Sequence, residues 1–309
     1  MPKKPPFKAK VHVELEELVK LQFDQHRFSF LPKQPIHSLL SGQHASRLRG
    51  RGLDFEELRH YRPGDDIRSI DWKATARLKK PHVRVYSEER ERTVLLVVDQ
   101  RSSMFFGSAR ATKAVAAAEL AALGAWRTLK MGDRVGAIVF GDKETAFVSP
   151  HRSRGNVHRI CQELANMNQQ LNANGAETNK EGFNEALKQA ASLAHHDFLV
   201  VLVTDCHGAD ETTRKRVTQL AAHNDVLAAL VYDPLGISLP STAELKITDG
   251  STQTDIPTDS KFHQNYQKAF VEWGQVLHDH FSALKIPILP ICTHDEVADQ
   301  VLAALGERT

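Results

Sequence analysis

Glycine-rich phosphate loops, paired cysteines and long apolar runs are all missing from this 309-residue chain. No stretch of about 18 consecutive apolar residues occurs, so neither a transmembrane helix nor membrane insertion is expected. The basic opening MPKKPPFKAK runs into charged residues instead of an apolar stretch, which argues against a secretory signal. Three widely spaced cysteines, Cys161, Cys206 and Cys292, form no CxxC pair. They point away from a zinc ribbon or a disulfide framework and read as packed small hydrophobes. With neither GxGxxG nor GxxxxGK[ST] present, no nucleotide is expected. GxSxG is absent as well, and no Ser/His/Asp set assembles, so catalysis has little support. An excess of one charge sign is lacking too. Forty Lys+Arg stand against 38 Asp+Glu, which gives no general capture of nucleic acid. These absences leave a soluble, cytoplasmic protein as the expectation.

What is present falls into two regions. Residues 1–92 are punctuated by Pro2, Pro5, Pro6, Pro32 and Pro35, with room for one short helix around Leu15 to Phe23. A dense mixed-charge stretch follows. Between Arg47 and Arg92 there are thirteen Lys/Arg and nine Asp/Glu. Such alternation reads as a solvated or internally paired surface, and the turn Arg62-Pro63-Gly64-Asp65-Asp66 as an ion-paired clasp.

From residue 93 to 309 the pattern is regular. Apolar runs at Val94 to Asp99, Val135 to Phe140, Phe198 to Asp205, Val226 to Asp233 and Ile286 to Ile291 read as strands buried on both faces, and Thr145 to Ser149 as an edge strand. Helical spacing fills the intervals: Ala109 to Met131, closed by Gly132; Gly155 to Asn168; Lys180 to Leu193; Glu211 to His223; Ser260 to Leu284; and Asp295 to Leu305. Asp249-Gly250 marks a hairpin. Strand alternating with helix gives a doubly wound, mostly parallel α/β domain, with the charged N-terminal segment packed on it.

In such a sheet, ligands meet the loops leaving the carboxyl ends of the strands. Asp99, Ser103, Thr178 and Asp205 stand there as small oxygen donors on three loops, which suits a hard cation such as Mg²⁺. The competing reading is that each Asp, and Thr178, merely caps the helix that follows.

The order of an apolar strand ending in D-x-x-x-S-M, a long helix, a Thr loop and an apolar strand ending in Asp resembles a von Willebrand factor A-type domain. The segment RxYRPGDDxRxIDWxxxAR is closely similar to the bacterial "domain of unknown function 58" family. The first resemblance implies a metal-ion-dependent adhesion site of the form D-x-S-x-S with a distant Thr and Asp. Asp99, Ser103, Thr178 and Asp205 match it, while Arg101 stands at the first Ser position. A guanidinium cannot ligate a cation. Either Arg101 points away and Ser102 substitutes, with Mg²⁺ as the cofactor, or its charge takes the cation's place, paired with Asp99 and Asp205. The family resemblance implies a non-enzymatic interaction protein working with a MoxR-type AAA+ ATPase or its client. Arg101, Ser102, Arg62, Asp65 and Asp66 are then the candidate partner contacts. The rival reading is a metal-dependent hydrolase of phosphate esters built on Asp99.

Overall fold

Every residue of Val94–Val98 is buried, and the apolar runs meet side by side in one sheet. The computed structural model describes residues 10–23, 53–63, 65–88, 91–172, 178–237, 246–248, 253–255 and 260–305. They divide into two units, one spanning residues 40–91 and one combining residues 1–39 with 92–309.

The first helix among the described residues of the larger unit is α1 (Leu15–Lys20). In the smaller unit, β1 (Leu53–His60) pairs antiparallel with β2 (His82–Glu88), and α2 (Trp72–Leu78) lies between them in sequence. Asp71 starts α2 by accepting hydrogen bonds from the backbone N–H groups of Lys73 and Ala74, satisfying donors that the first turn leaves free.

The remaining strands of the larger unit are β3 (Thr93–Asp99), β4 (Arg134–Phe140), β5 (Thr145–His151), β6 (Phe198–Thr204), β7 (Asp225–Tyr232), the short hairpin β8 (Lys246–Thr248) and β9 (Gln253–Asp255), and β10 (Ile288–Cys292). The Asp249-Gly250 turn expected between β8 and β9 lies outside the described residues. Six strands form one sheet in the order β10-β7-β6-β3-β4-β5, parallel throughout except for β5 at the edge. Around it run α3 (Lys113–Lys130), α4 (Arg154–Gln170), α5 (Lys180–Leu193), α6 (Glu211–Ala221), α7 (Pro234–Ile237), α8 (Ser260–Ala283) and α9 (Val297–Leu305).

The alternation of a strand explains the composition of β3. Val94, Leu96 and Val98 face one core, shared with α3 and α4, while Leu95 and Val97 face the other, shared with α5. With both faces covered, the positions from Val94 to Val98 are all apolar. Counted along the sheet, the chain builds outward from β3 through β4 to β5, then returns to the other side of β3 with β6. That reversal opens a crevice at the carboxyl ends of β3 and β6.

Several boundaries shift by one or two residues, and two departures from the sequence expectation are larger. The Ala-rich helix starts at Lys113, not Ala109, because the Thr112 hydroxyl accepts the Val115 N–H and caps it there. The preceding loop folds so tightly that a Cβ on Gly107 would stand 2.2 Å from the Ala111 carbonyl oxygen. Residues 10–23, grouped in the sequence with the charged segment, pack instead within the larger unit. Lys10 donates its N–H to the Arg110 carbonyl. Val13 donates its N–H to Asn168 Oδ1 at 2.9 Å, and Trp126 Nε1 donates to the Leu18 carbonyl at 3.0 Å. Val13 and Leu18 are fully buried, each worth about 1.5–3 kcal/mol of hydrophobic stabilisation. Among the described residues, no helix is long and apolar enough to cross a membrane.

Candidate functional site

The strand ends at the reversal point carry two carboxylates, each met by a cationic side chain. Asp99, the last residue of β3, and Arg101, two residues on, are both 0% exposed. The guanidinium grips the carboxylate as a fork, with Nε at 3.0 Å from Oδ1 and Nη2 at 2.7 Å from Oδ2. Oδ1 also accepts the Arg101 backbone N–H at 3.0 Å, and Oδ2 the Thr204 hydroxyl at 2.7 Å. Those four hydrogens occupy the roughly four lone-pair directions of a carboxylate. Arg101 donates further to the carbonyls of Asn179 and His207, both at 3.1 Å. Its guanidinium carbon lies 5.5 Å from the Phe140 ring centre and 5.7 Å from that of Phe183, within cation–π range.

Asp205 follows β6 and is also buried. Lys113, the first residue of α3, places Nζ 2.6 Å from Asp205 Oδ2, and the His207 N–H donates to Oδ1 at 2.9 Å. Cys206, between them, holds a left-handed backbone at φ 55°, a strained choice for a buried non-glycine residue that lets the turn close. Burial pushes both carboxyls up. Asp99 ends above its usual range despite the Arg101 fork, with the nearby Asp205 charge adding to the rise. Asp205 ends below its range, because Lys113, the His207 N–H and the Arg101 charge together outweigh burial.

The capping reading fails for the three residues it named. Thr112 caps α3, Asn179 caps α5 and Asp210 caps α6, which leaves Asp99, Asp205 and Thr178 to other contacts. Thr178 meets Ser102, not Ser103, with their hydroxyl oxygens 2.8 Å apart. The one-residue difference comes from the single 3-10 turn at Ser102–Met104, in which Ser103 Oγ is buried without a hydrogen-bond partner. Asp142, after β4, ties these loops together. It accepts the Ser102 N–H and the Asn179 N–H, each at 2.8 Å. Beside Ser102 and Asp142 opens a cavity of about 300 Å³, which Gln100, Gly141, Leu171 and Asn172 also line.

Lys113, Asp142, Asn179 and Thr204 escaped the sequence reading. Lys113 carried a signal: a cation in the first turn of a helix opposes the macrodipole and calls for an acidic partner. Asp142, two residues past an apolar strand, repeated the strand-end pattern of the others.

A divalent cation does not fit this donor set. Asp99 has no free lone pair, Asp205 is taken by an ammonium, and the guanidinium fills the space between the strand ends with positive charge. Among the described residues, no group of three or more His, Cys, Asp or Glu is placed to hold a metal ion.

In the smaller unit, the ion pair at the expected clasp joins the turn to β1. Arg59 holds Asp65 with two bonds of 2.8 Å, and the Arg62 N–H donates to Asp65 Oδ2 at 2.7 Å. Together they pull the Asp65 carboxyl down to about 2. Asp66 caps the 3-10 turn at Ile67–Ser69 through the Arg68 N–H, and the Arg62 and Asp66 residues are exposed.

A family model described as "Protein of unknown function DUF58" matches residues 57–275. Uncharacterized protein Rv1480 of Mycobacterium tuberculosis and uncharacterized protein Mb1516 of Mycobacterium bovis are each 30% identical over 220 residues, covering 71% of this chain and 68% of theirs. Solved structures similar to it include conserved hypothetical protein BatB from Bacteroides thetaiotaomicron, with TM-score 0.41 and 13% identity over 69% of this chain and 95% of that one. The SpRpn10 VWA domain has TM-score 0.35 and 11% identity over 70% and 95% respectively.

Proposed function

The chain belongs to the DUF58 family, on a doubly wound, mostly parallel α/β sheet, and from that premise we propose a non-enzymatic protein-interaction module for a MoxR-type AAA+ ATPase or its client. The observation that carries the reading is the state of the charges at the strand ends. Asp99, Arg101, Asp205 and Lys113 satisfy one another, so these four groups offer neither a free general base nor an open electrophile for chemistry; the Ser108 hydroxyl, which meets His294 and Asp233 at the ends of β7 and β10, is a separate cluster. The face around the four groups offers a fixed shape, three loops stapled by Asp142 around the Ser102–Thr178 hydroxyl pair and the adjoining cavity. Such a surface suits recognition of a partner. The ATPase as partner comes from the family resemblance. The exposed Arg62 and Asp66 belong to the same proposal as a second contact region. Hydrolysis of phosphate esters through Asp99 would need a carboxylate oxygen open to substrate, and both of its oxygens are committed.

Capture of a purified MoxR-type AAA+ ATPase on the immobilised protein tests the proposal. We expect capture by the wild type, at least tenfold weaker with Ser102→Lys and Thr178→Lys combined. Undiminished capture by that variant would place docking elsewhere. Phosphatase turnover that disappears with Asp99→Asn would overturn the non-enzymatic reading.

A further inference from the structure

The mismatch between the strand-end donors and a divalent cation has a positive counterpart. We infer that Arg101 and Lys113 are resident counter-charges that do a cation's work at this crevice, holding the loops after β3, β6 and before α5 in a single arrangement without metal. Three observations carry this. The Arg101 fork binds Asp99 through both carboxylate oxygens while its other N–H groups reach the carbonyls of Asn179 and His207. One guanidinium thereby links the three loops that a shared cation would link. The ammonium of Lys113 neutralises the second carboxylate, Asp205, at 2.6 Å. The planar guanidinium also rests against Phe140 and Phe183, an apolar seat that accepts a weakly hydrated guanidinium and would reject a strongly hydrated metal ion.

If docking is the role, as proposed above, a consequence follows for recognition. A cation with an open coordination position can be completed by a partner's carboxylate. Arg101 is fully buried and offers no such position. The partner therefore reads the hydroxyl pair and the cavity beside it, and its binding does not wait on divalent ions.

The test uses the full chain and needs no ATPase, so its failure is distinguishable from failure of the docking proposal. Thermal unfolding and calorimetric titration are run with Mg²⁺, Mn²⁺ and a chelator. For the wild type we expect an unchanged melting temperature in all three and no saturable heat. The variant Arg101→Ser combined with Lys113→Ala returns a hydroxyl to the D-x-S-x-S position and frees both carboxylates. It should melt lower in chelator and recover with Mn²⁺ in a saturable way. Arg101→Lys, which keeps the charge but loses the fork, should melt lower and stay indifferent to Mn²⁺. Saturable metal binding by the wild type that Asp99→Asn abolishes would overturn the inference. So would an Arg101→Lys variant as stable as the wild type.

Discussion

Arg101 is a charged residue with no exposed surface, and its stability depends on Asp99 remaining beside it. Removing one member of a buried pair strands the other, so Arg101→Ala should cost about 3–5 kcal/mol in denaturant unfolding. Replacing both with apolar residues, Asp99→Leu with Arg101→Met, should cost less than either single change, because no uncompensated charge remains. A double variant as unstable as the summed singles would show that the pair is not the source. In the smaller unit, the Asp65 carboxyl should titrate near pH 2 by NMR, rising toward the ordinary range in Arg59→Ala. Its folded value lies below the unfolded one, so its contribution is fully present above the ordinary carboxylate range. It fades as pH falls through about 2. The charge conflict at Arg101 was legible from the sequence, since a guanidinium stood where a hydroxyl was expected. The choice of Ser102 over Ser103 was not, because a single 3-10 turn decides which of two adjacent hydroxyls faces Thr178.

Elements were read best where burial is two-sided. β3, β6 and β7 show as unbroken apolar runs because both faces of the sheet are covered. The start of α3 was read early, because Ala109 and Ala111 continue the alanine pattern and composition alone does not reveal that Gly107 turns the chain there. Thr112, with its capping hydroxyl, was the cue. The C-terminal turn of α4 holds a buried polar relay no periodicity announces. Asn168 Nδ2 donates to Gln100 Oε1 at 3.0 Å, and Gln100 Nε2 donates to the Ala114 carbonyl at 2.9 Å. The Val13 N–H completes it on Asn168 Oδ1. Asn168→Ala orphans Gln100 Oε1 and the Val13 N–H, each costing about 1–3 kcal/mol when buried. Hydrogen exchange at the Val13 amide should accelerate together with the loss of stability. Protection equal to wild type would mean that the strap is held by packing alone.

For the whole molecule, the sequence divides the chain into residues 1–92 and 93–309, whereas the two units are residues 40–91 and residues 1–39 with 92–309. It did not foresee that residues 10–23 fold with the far side of that division. Their receptors, Trp126 and Asn168, lie 108 and 155 residues along the chain from Leu18 and Val13, and no local pattern encodes a contact at that range. Deleting residues 1–23 should lower the melting temperature of the larger unit by several degrees, since Leu18 and Val13 leave the core. An unchanged melting temperature would make the strap dispensable.

The strap also imposes an order on the nascent chain. Val13 and Leu18 leave the ribosome well before their partners, and their full cover waits for α3 and then α4. At about 5–20 residues per second, the 155 residues separating Val13 from Asn168 take on the order of 10–30 s to synthesise. Throughout that interval the apolar face of this segment travels without its full cover, a ready target for a chaperone, and the core it enters is completed by residues as late as Val301.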